Sequence, residues 1–80
     1  MTKSTKLILV ADDYEGAAEL LAELVECIPG YRAVAVTDGL LAYEAAVAKR
    51  PDAVLLDLDM PRMTGIEAAR ALRSYFATSV

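Results

Sequence analysis

Three aspartates stand directly after short apolar runs, where a carboxylate could hold a metal ion or take part in phosphoryl transfer. Asp12 and Asp13 follow the run at residues 7–11, and Asp57 follows the run at residues 53–56. A single aspartate at such a position has about even odds of being only a loop residue or a helix cap. Three of them close together would repel one another, and Mg²⁺, which prefers hard oxygen ligands, would relieve that repulsion. The trio therefore favours a cation site if the fold brings its members together.

The spacing of apolar residues predicts the elements that would position these carboxylates. Apolar runs typical of buried strands lie at residues 7–11, 32–37 and 53–56. Helical spacing predicts a first helix from Tyr14 to Ile28. A second helix is predicted from Gly39 to about Lys49, with Asp38 as its N-cap. A third begins at a capping box formed by Thr64 and Glu67 and runs to about Tyr75.

The first predicted helix has one apolar and one acidic face. The residues expected to face the core are Ala17, Leu20, Leu21, Leu24 and Ile28. The acidic residues on the other face are Glu15, Glu19, Glu23 and Glu26. Cys27, next to the end of this helix, is expected to be a small buried hydrophobe.

The order of these elements, β-α-β-α-β-α, predicts an α/β fold with a parallel, flavodoxin-like sheet and right-handed crossovers. The expected strand order is 2-1-3, which puts the first and third strands side by side. In such sheets ligands bind outside the carboxyl ends of the strands, at the point where the strand order reverses. Asp12, Asp13 and Asp57 should therefore converge at that point, and three such residues favour a site by roughly four to one.

The length, net charge and residue composition limit the classes of protein to which the chain can belong. Its 80 residues allow one domain, 1–80. A net charge of −4 and scattered basic residues argue against a nucleic-acid surface. No apolar run approaches the ~20 residues of a membrane span. The absence of histidine and the single cysteine argue against zinc. We expect a soluble, cytoplasmic protein with no nucleic-acid or membrane partner.

Two stretches together resemble the receiver domain of two-component response regulators. The first is the strand and acidic pair at residues 7–13, and the second is a D-x-x-M-P-x-x-x-G stretch that runs from Asp57 through Met60 and Pro61 to Gly65. The joint match is specific because both motifs occur at the spacing of that family. It covers the whole chain but only three of the family's five strands.

The resemblance implies a role for each matching residue. Asp57 would be the phosphoacceptor, with a histidine kinase or phosphotransfer protein as donor. Asp13 and Asp57 would bind Mg²⁺ directly, Asp12 through water, and Asp59 through its backbone carbonyl. Chemically this is nucleophilic catalysis by a carboxylate, in a signalling module that is not an enzyme in the usual sense. Gly65 would let the chain turn tightly into the third helix.

The chain also departs from the family pattern. The family has a Ser or Thr after its fourth strand, and a Lys and a switch aromatic on its fifth, whereas this sequence stops before those two units. Thr78, Ser79, Lys49 and Tyr75 are not assigned to those roles. We therefore expect Asp57 to accept phosphate poorly or transiently in this chain.

Two other functions remain open at this point. One is a module of the same fold that acts by association without stable phosphorylation. The other is a haloacid-dehalogenase-type phosphatase, since Asp57 and Asp59 form a D-x-D, but that motif normally follows the first strand and here it follows the third. The acidic stripe of the first helix could face a kinase, although a solvated face is favoured by about three to one.

The last expectation concerns assembly. Parallel sheets are normally covered by helices on both faces, and one helix cannot cover three strands. We expect a bare sheet face and an open edge at the third strand, residues 53–56. The chain should therefore form a homo-oligomer through this strand or face. Tyr75 and Phe76 are expected to be exposed, and with the 77–80 tail they could join the contact.

Overall fold

The computed structural model describes residues 5–14 and 16–78, which form six elements in strict alternation. They are β1 (Lys6–Ala11), α1 (Ala17–Glu26), β2 (Tyr31–Val36), α2 (Gly39–Lys49), β3 (Ala53–Leu56) and α3 (Gly65–Thr78). The predicted element order is therefore confirmed. The expectations placed on Glu15 and Ser79 lie outside the described residues, as does the end of the tail at Val80.

The three strands form one parallel sheet in the order β2-β1-β3, as predicted. β1 pairs with β2 from Lys6 opposite Tyr31 onwards, and with β3 from Ile8 opposite Ala53 to Ala11 opposite Leu56. Because β1 is central, its last three residues are all buried. The ends of β1 and β3 therefore lie level, at the same edge of the sheet.

The core lies mainly between the sheet and the layer of α2 and α3. Leu9 packs with Ala46 of α2 and Leu72 of α3, and all three are buried. Two residues further along β1, Ala11 packs with Ala42 and Met60. Since side chains alternate along a strand, the intervening Val10 points to the opposite face, on the side of α1. The alanines let α2 approach the sheet closely.

The first helix begins later than predicted and packs through a different face. It starts at Ala17, because Gly16 adopts a left-handed conformation with φ of 80° just before it. Its buried residue is Ala18, whereas Leu20 and Leu24, expected in the core, are 57% and 56% exposed. The predicted core face of α1 is thus wrong. Small side chains bring the helix close to β1 and β2, and Leu20 and Leu24 stay largely exposed.

The ends of the other helices follow the sequence signals closely. Asp38 caps α2 by accepting a 2.8 Å hydrogen bond from the Leu41 amide. Thr64 and Glu67 form the predicted capping box, with reciprocal bonds of 2.9 and 3.2 Å. Beyond the predicted end at Tyr75, α3 continues to Thr78.

Two further expectations about side chains are corrected by the structure. Cys27 is exposed and not a buried hydrophobe, because it follows α1 on the surface. Tyr75 and Phe76 are half-buried instead of free. Tyr75 stacks edge-on against Tyr43, with ring centroids 6.4 Å apart, and the Arg50 guanidinium lies 5.0 Å from the Phe76 ring centroid. These contacts hold the C-terminal end of α3 against α2.

Candidate functional site

The predicted carboxylate cluster forms at the shared edge of β1 and β3. Asp12, Asp13 and Asp57 each bring one carboxylate oxygen within 4.8 Å of the others. Asp12 and Asp57 are half-buried and Asp13 is exposed. The backbone of Asp59 is two residues beyond Asp57, in the loop that leads to α3. The structure thus brings the three predicted carboxylates together.

Backbone hydrogen bonds fix where two of the aspartates leave the sheet. The Asp12 amide donates to the Val36 carbonyl at 3.2 Å, and the Asp57 amide donates to the Ala11 carbonyl at 2.9 Å. Both bonds continue the parallel ladders one residue past the strands. Asp12 and Asp57 are therefore held at the same level, on neighbouring strands.

The half-buried carboxylates are also oriented by local hydrogen bonds. Asp12 accepts a 2.9 Å bond at Oδ1 from the Tyr14 amide, which turns the chain between β1 and α1. Asp57 accepts a 2.8 Å bond at Oδ1 from the Leu58 amide. In the described part of the chain, Oδ2 of Asp57 accepts no hydrogen bond. A cleft of about 150 Å³ opens beside these two carboxylates, lined also by Leu21 and Leu55.

The spacing of the three carboxylates suits a small hard cation. Mg²⁺ takes oxygen ligands at about 2.0–2.1 Å in octahedral geometry, so adjacent ligand atoms lie about 2.9 Å apart and opposite ones about 4.1 Å. Oxygens within 4.8 Å of one another reach these values with small side-chain rotations, or with one carboxylate bound through a water. The acidic donor set, without nitrogen or sulfur ligands, also matches a hard ion.

The loop after Asp57 is packed tightly against both the site and α2. Met60 is buried, with 7% of its surface exposed. A Cβ on Gly65 would collide with the Asp57 carbonyl oxygen, and one on Gly39 would collide with the Met63 carbonyl oxygen. Gly65 has no positive φ, so close approach explains this glycine better than the tight turn we expected. Both glycines allow helix N-termini to touch the loop.

Sequence reasoning missed one pair that also holds this loop. The Arg62 guanidinium donates to Oδ2 of Asp38 from Nη2 at 2.8 Å and from Nε at 3.0 Å. The sequence predicts Asp38 only as a helix cap, and no sequence pattern indicates that Arg62 contacts it. Lys49 and Tyr75 lie in the second half of their helices, and neither belongs to the carboxylate cluster.

Comparison with known proteins identifies the family to which this fold and site belong. Residues 8–80 match the response regulator receiver domain. The receiver domain of Thermotoga maritima CheB superposes with a TM-score of 0.81 at 31% identity over 88% of this chain. A LuxR-family response regulator from Aurantimonas superposes with a TM-score of 0.83 at 37% identity over 92% of the chain. The chain belongs to the receiver domain family of two-component response regulators.

Curated relatives give the same result and show how much of them the chain covers. Response regulator MprA of Mycobacterium ulcerans is 42% identical over 84% of this chain and 28% of its own length. A protein-glutamate methylesterase/protein-glutamine glutaminase of Myxococcus xanthus is 42% identical over 91% of this chain and 21% of its own length. The chain spans about half the length of each of the two solved chains, 53% for CheB and 54% for the LuxR-family regulator. The match is to receiver sequence, and the esterase activity in the second name is that relative's.

The family match also bears on the expectations about class and surroundings. The D-x-D of Asp57 and Asp59 lies within the matched receiver region, which favours the receiver over the phosphatase interpretation. None of the helices in the described residues combines the length and the apolar character that spanning a membrane requires.

Proposed function

We propose that this chain is a phosphoacceptor signalling module in which Asp57 receives a phosphoryl group from a histidine kinase or a phosphotransfer protein. The observation that carries this proposal is the convergence of Asp57 with Asp12 and Asp13 within 4.8 Å, in a chain of the receiver family. A lone surface carboxylate is a poor phosphoacceptor, because its charge repels the incoming phosphoryl oxygens. A cation held by three carboxylates offsets that repulsion.

Four groups would hold Mg²⁺ in this proposal. Asp13 and Asp57 would bind it directly, Asp12 through a water, and Asp59 through its backbone carbonyl. When bound, the ion neutralises charge on the transferring phosphoryl oxygens. The side chain of Asp59 is exposed and has no role in this scheme. That distinction makes Asp59 a useful control.

The transfer itself needs only one nucleophilic oxygen from the protein. The Leu58 amide holds Oδ1 of Asp57, which leaves Oδ2 as the attacking atom. Oδ2 forms the new P–O bond to phosphorus while the P–N bond of the donor phosphohistidine breaks. The electron pair of that bond returns to the imidazole nitrogen. The products are an aspartyl phosphate on Asp57 and a free histidine on the donor.

Incubation with acetyl phosphate and Mg²⁺, followed by intact-mass measurement, tests the proposal. We expect one phosphoryl adduct on the chain, none on Asp57→Asn, and none when a chelator removes the metal. Asp59→Asn should be phosphorylated like the unaltered chain, because it keeps the backbone carbonyl. The 80-residue polypeptide lacks the later Ser/Thr and Lys of the family pattern, and each missing donor slows transfer by about 10²–10³. We therefore expect a small or short-lived adduct.

Other outcomes would contradict either the proposal or the expected small yield of the adduct. An adduct that persists in Asp57→Asn would place the acceptor elsewhere. Turnover of p-nitrophenyl phosphate that depends on Asp57 would favour the phosphatase. A rapid, long-lived and complete adduct would show that the later donors are dispensable or come from another molecule.

The proposal also places this chain in the cytoplasm. Its single cysteine cannot form an internal disulfide, which fits a reducing compartment. The acidic net charge of −4 and the scattering of the basic residues along the sequence argue against a nucleic-acid partner.

A second candidate function, association with another copy of this chain, rests on the open side of β3. In the described residues no strand pairs with that edge of β3. A groove of about 570 Å³ runs between β3 and α3, lined by Val54, Leu56, Leu72 and Phe76 among others. On the opposite sheet face Leu55 is 46% exposed. These features support self-association, whether or not Asp57 is phosphorylated.

A further inference from the structure

The loop between β3 and α3 contains a residue in an unfavourable backbone conformation. Arg62 has φ of 67°, in the left-handed region that a side chain with a Cβ seldom occupies. Nothing about an arginine favours that conformation locally. Its guanidinium, however, makes two hydrogen bonds to one carboxylate oxygen of Asp38. These charge-assisted bonds offset the cost of the backbone conformation.

The two carboxylate oxygens of Asp38 accept hydrogen bonds from different parts of the chain. Oδ1 accepts from the Leu41 amide and starts α2, while Oδ2 accepts from Arg62. The Asp38 side chain is only 13% exposed, although that of Arg62 is 53% exposed. The bond to the Leu41 amide, and then the Arg62 guanidinium, keep the pKa of Asp38 below its ordinary value. The pair is therefore charged at neutral pH.

The segment held by this pair carries two of the four groups proposed to hold Mg²⁺. Asp57 and Asp59 precede Arg62 by five and three residues. Between Asp59 and Arg62, the Met60 side chain packs against Ala11 and Ala42. After Arg62, the Met63 carbonyl lies against Gly39, at the start of α2. The loop is thus fixed from the side of α2 at three successive points, and only the Arg62 contact is ionic.

We infer that the ion pair of Arg62 and Asp38 is a positioning device that holds the loop at residues 57–64 in the conformation that presents Asp57 and the Asp59 carbonyl to the cation, and so sets Mg²⁺ affinity. This inference rests on the proposed function for its metal. Among the described residues, neither Arg62 nor Asp38 belongs to the carboxylate cluster, and their mutual ion pair does not include its aspartates. The N-terminal end of α2 therefore helps to position the site. This role cannot be recognised from the receiver motif at residues 57–65, because Asp38 lies outside it.

Two variants separate the ion pair from the other tasks of these residues. Asp38→Asn keeps an oxygen for the helix cap, at which asparagine and aspartate are equally favoured, but its amide nitrogen cannot accept from Arg62. Arg62→Gly removes the guanidinium and suits a positive φ, so it adds no backbone strain. The control is Arg50→Gly. Arg50, at the C-terminal end of α2, also has a positive φ, so this variant relieves the same kind of backbone strain at a distance from the loop.

The first measurement is hydrogen exchange of the 57–64 amides in the metal-free chain. We expect exchange in Asp38→Asn and in Arg62→Gly to be roughly threefold to tenfold faster, the range for a partly exposed charged pair. The double variant should be no faster than either single variant, because both remove one interaction. Arg50→Gly should leave the loop unchanged. Unaltered loop exchange in both single variants overturns the inference.

The second measurement is the Kd for Mg²⁺ by calorimetry, together with the rate of phosphorylation by acetyl phosphate at saturating Mg²⁺. We expect Kd to rise about threefold to tenfold, at or below the lower end of the range for residues that orient metal ligands. The rate at saturation should return close to that of the unaltered chain. If the loop exchanged faster in the variants but the Kd for Mg²⁺ did not change, the ion pair would have no role in metal affinity. If the unaltered chain bound no Mg²⁺, the proposed function would fail, and loop exchange alone would still decide whether the pair fixes the loop.

Discussion

At the scale of single residues, the site consists of three carboxylates at one edge of the sheet, and the ion pair of Arg62 and Asp38 contacts the loop that follows one of them. Asp12, Asp13 and Asp57 were predicted because residues that end adjacent parallel strands must emerge at one edge. The contact of Arg62 with Asp38 is not predicted, because neither a positive φ nor a hydrogen bond between residues 24 positions apart produces a pattern in the local sequence. Cys27 was placed wrongly because residue type alone does not fix burial.

The first residue-scale prediction concerns the stability that the cation contributes. A ligand that binds only the folded chain stabilises it by about 2.7 kcal/mol when its concentration is a hundred times Kd. Thermal melts with millimolar Mg²⁺ should therefore show a higher Tm than melts in chelator. Asp13→Ala should lose most of this shift, and Asp59→Asn should keep it. An equal shift in Asp13→Ala would mean that the ion binds elsewhere.

The second prediction uses the acid titration of Asp38. Its pKa in the folded chain lies below the ordinary 3.8, mainly through the Leu41 amide and also through Arg62. A carboxylate of this kind stabilises the fold fully above its unfolded pKa, and that contribution is lost as pH falls through the lower, folded pKa. The advantage of the unaltered chain over Asp38→Asn in urea unfolding should thus be constant from pH 7 to about 5 and disappear well below 3.8. An advantage that already declines above pH 5 would contradict this assignment.

At the scale of elements, periodicity identified every strand and helix but not the face through which α1 packs. A stripe of leucines normally marks the buried face. In α1 the buried residue is Ala18, while Leu20, Leu24 and the following Ile28 are about half exposed or more. Helix caps were predicted well, since a cap depends on residues only three positions apart. The packing of a helix depends on partners that the local sequence does not show.

The contact between α2 and the site loop yields a prediction at this scale. Gly39→Ala would place a Cβ against the Met63 carbonyl, so the helix or the loop must move. Although alanine favours helix, we expect a net loss of about 1–3 kcal/mol, as for other over-packed positions. Gly16→Ala is the control, because it strains a positive φ but meets no atom within 4 Å. Both variants should melt earlier, but only Gly39→Ala should also weaken the Mg²⁺-dependent rise in Tm.

At the scale of the whole molecule, the six elements build the edge that carries the site and leave the sheet unevenly covered. α1 lies over β1 and β2, and α2 with α3 lies over the other face. Leu55 of β3 is consequently 46% exposed, and the outer edge of β3 pairs with no strand in the described residues. The sequence predicted this uneven cover from the number of helices alone. It could not predict how much of β3 would be open, because that depends on where α3 settles.

The final prediction is that the 80-residue polypeptide associates with a second copy through the open side of β3. A specific interface needs about 1,000 Å² in total, or about 500 Å² from each copy. That is roughly a tenth of the 5445 Å² accessible surface of this chain. Light scattering at micromolar concentration should therefore report a dimer or larger assembly. Leu55→Glu should shift it towards monomer, because a charge on the apolar sheet face must be desolvated for the copies to meet. Ile28→Glu changes a residue of similar exposure, 50%, beside the opposite edge strand, and should leave the assembly intact. A well-folded monomer of the unaltered polypeptide, or equal dissociation by both variants, would show that the side of β3 is not the contact.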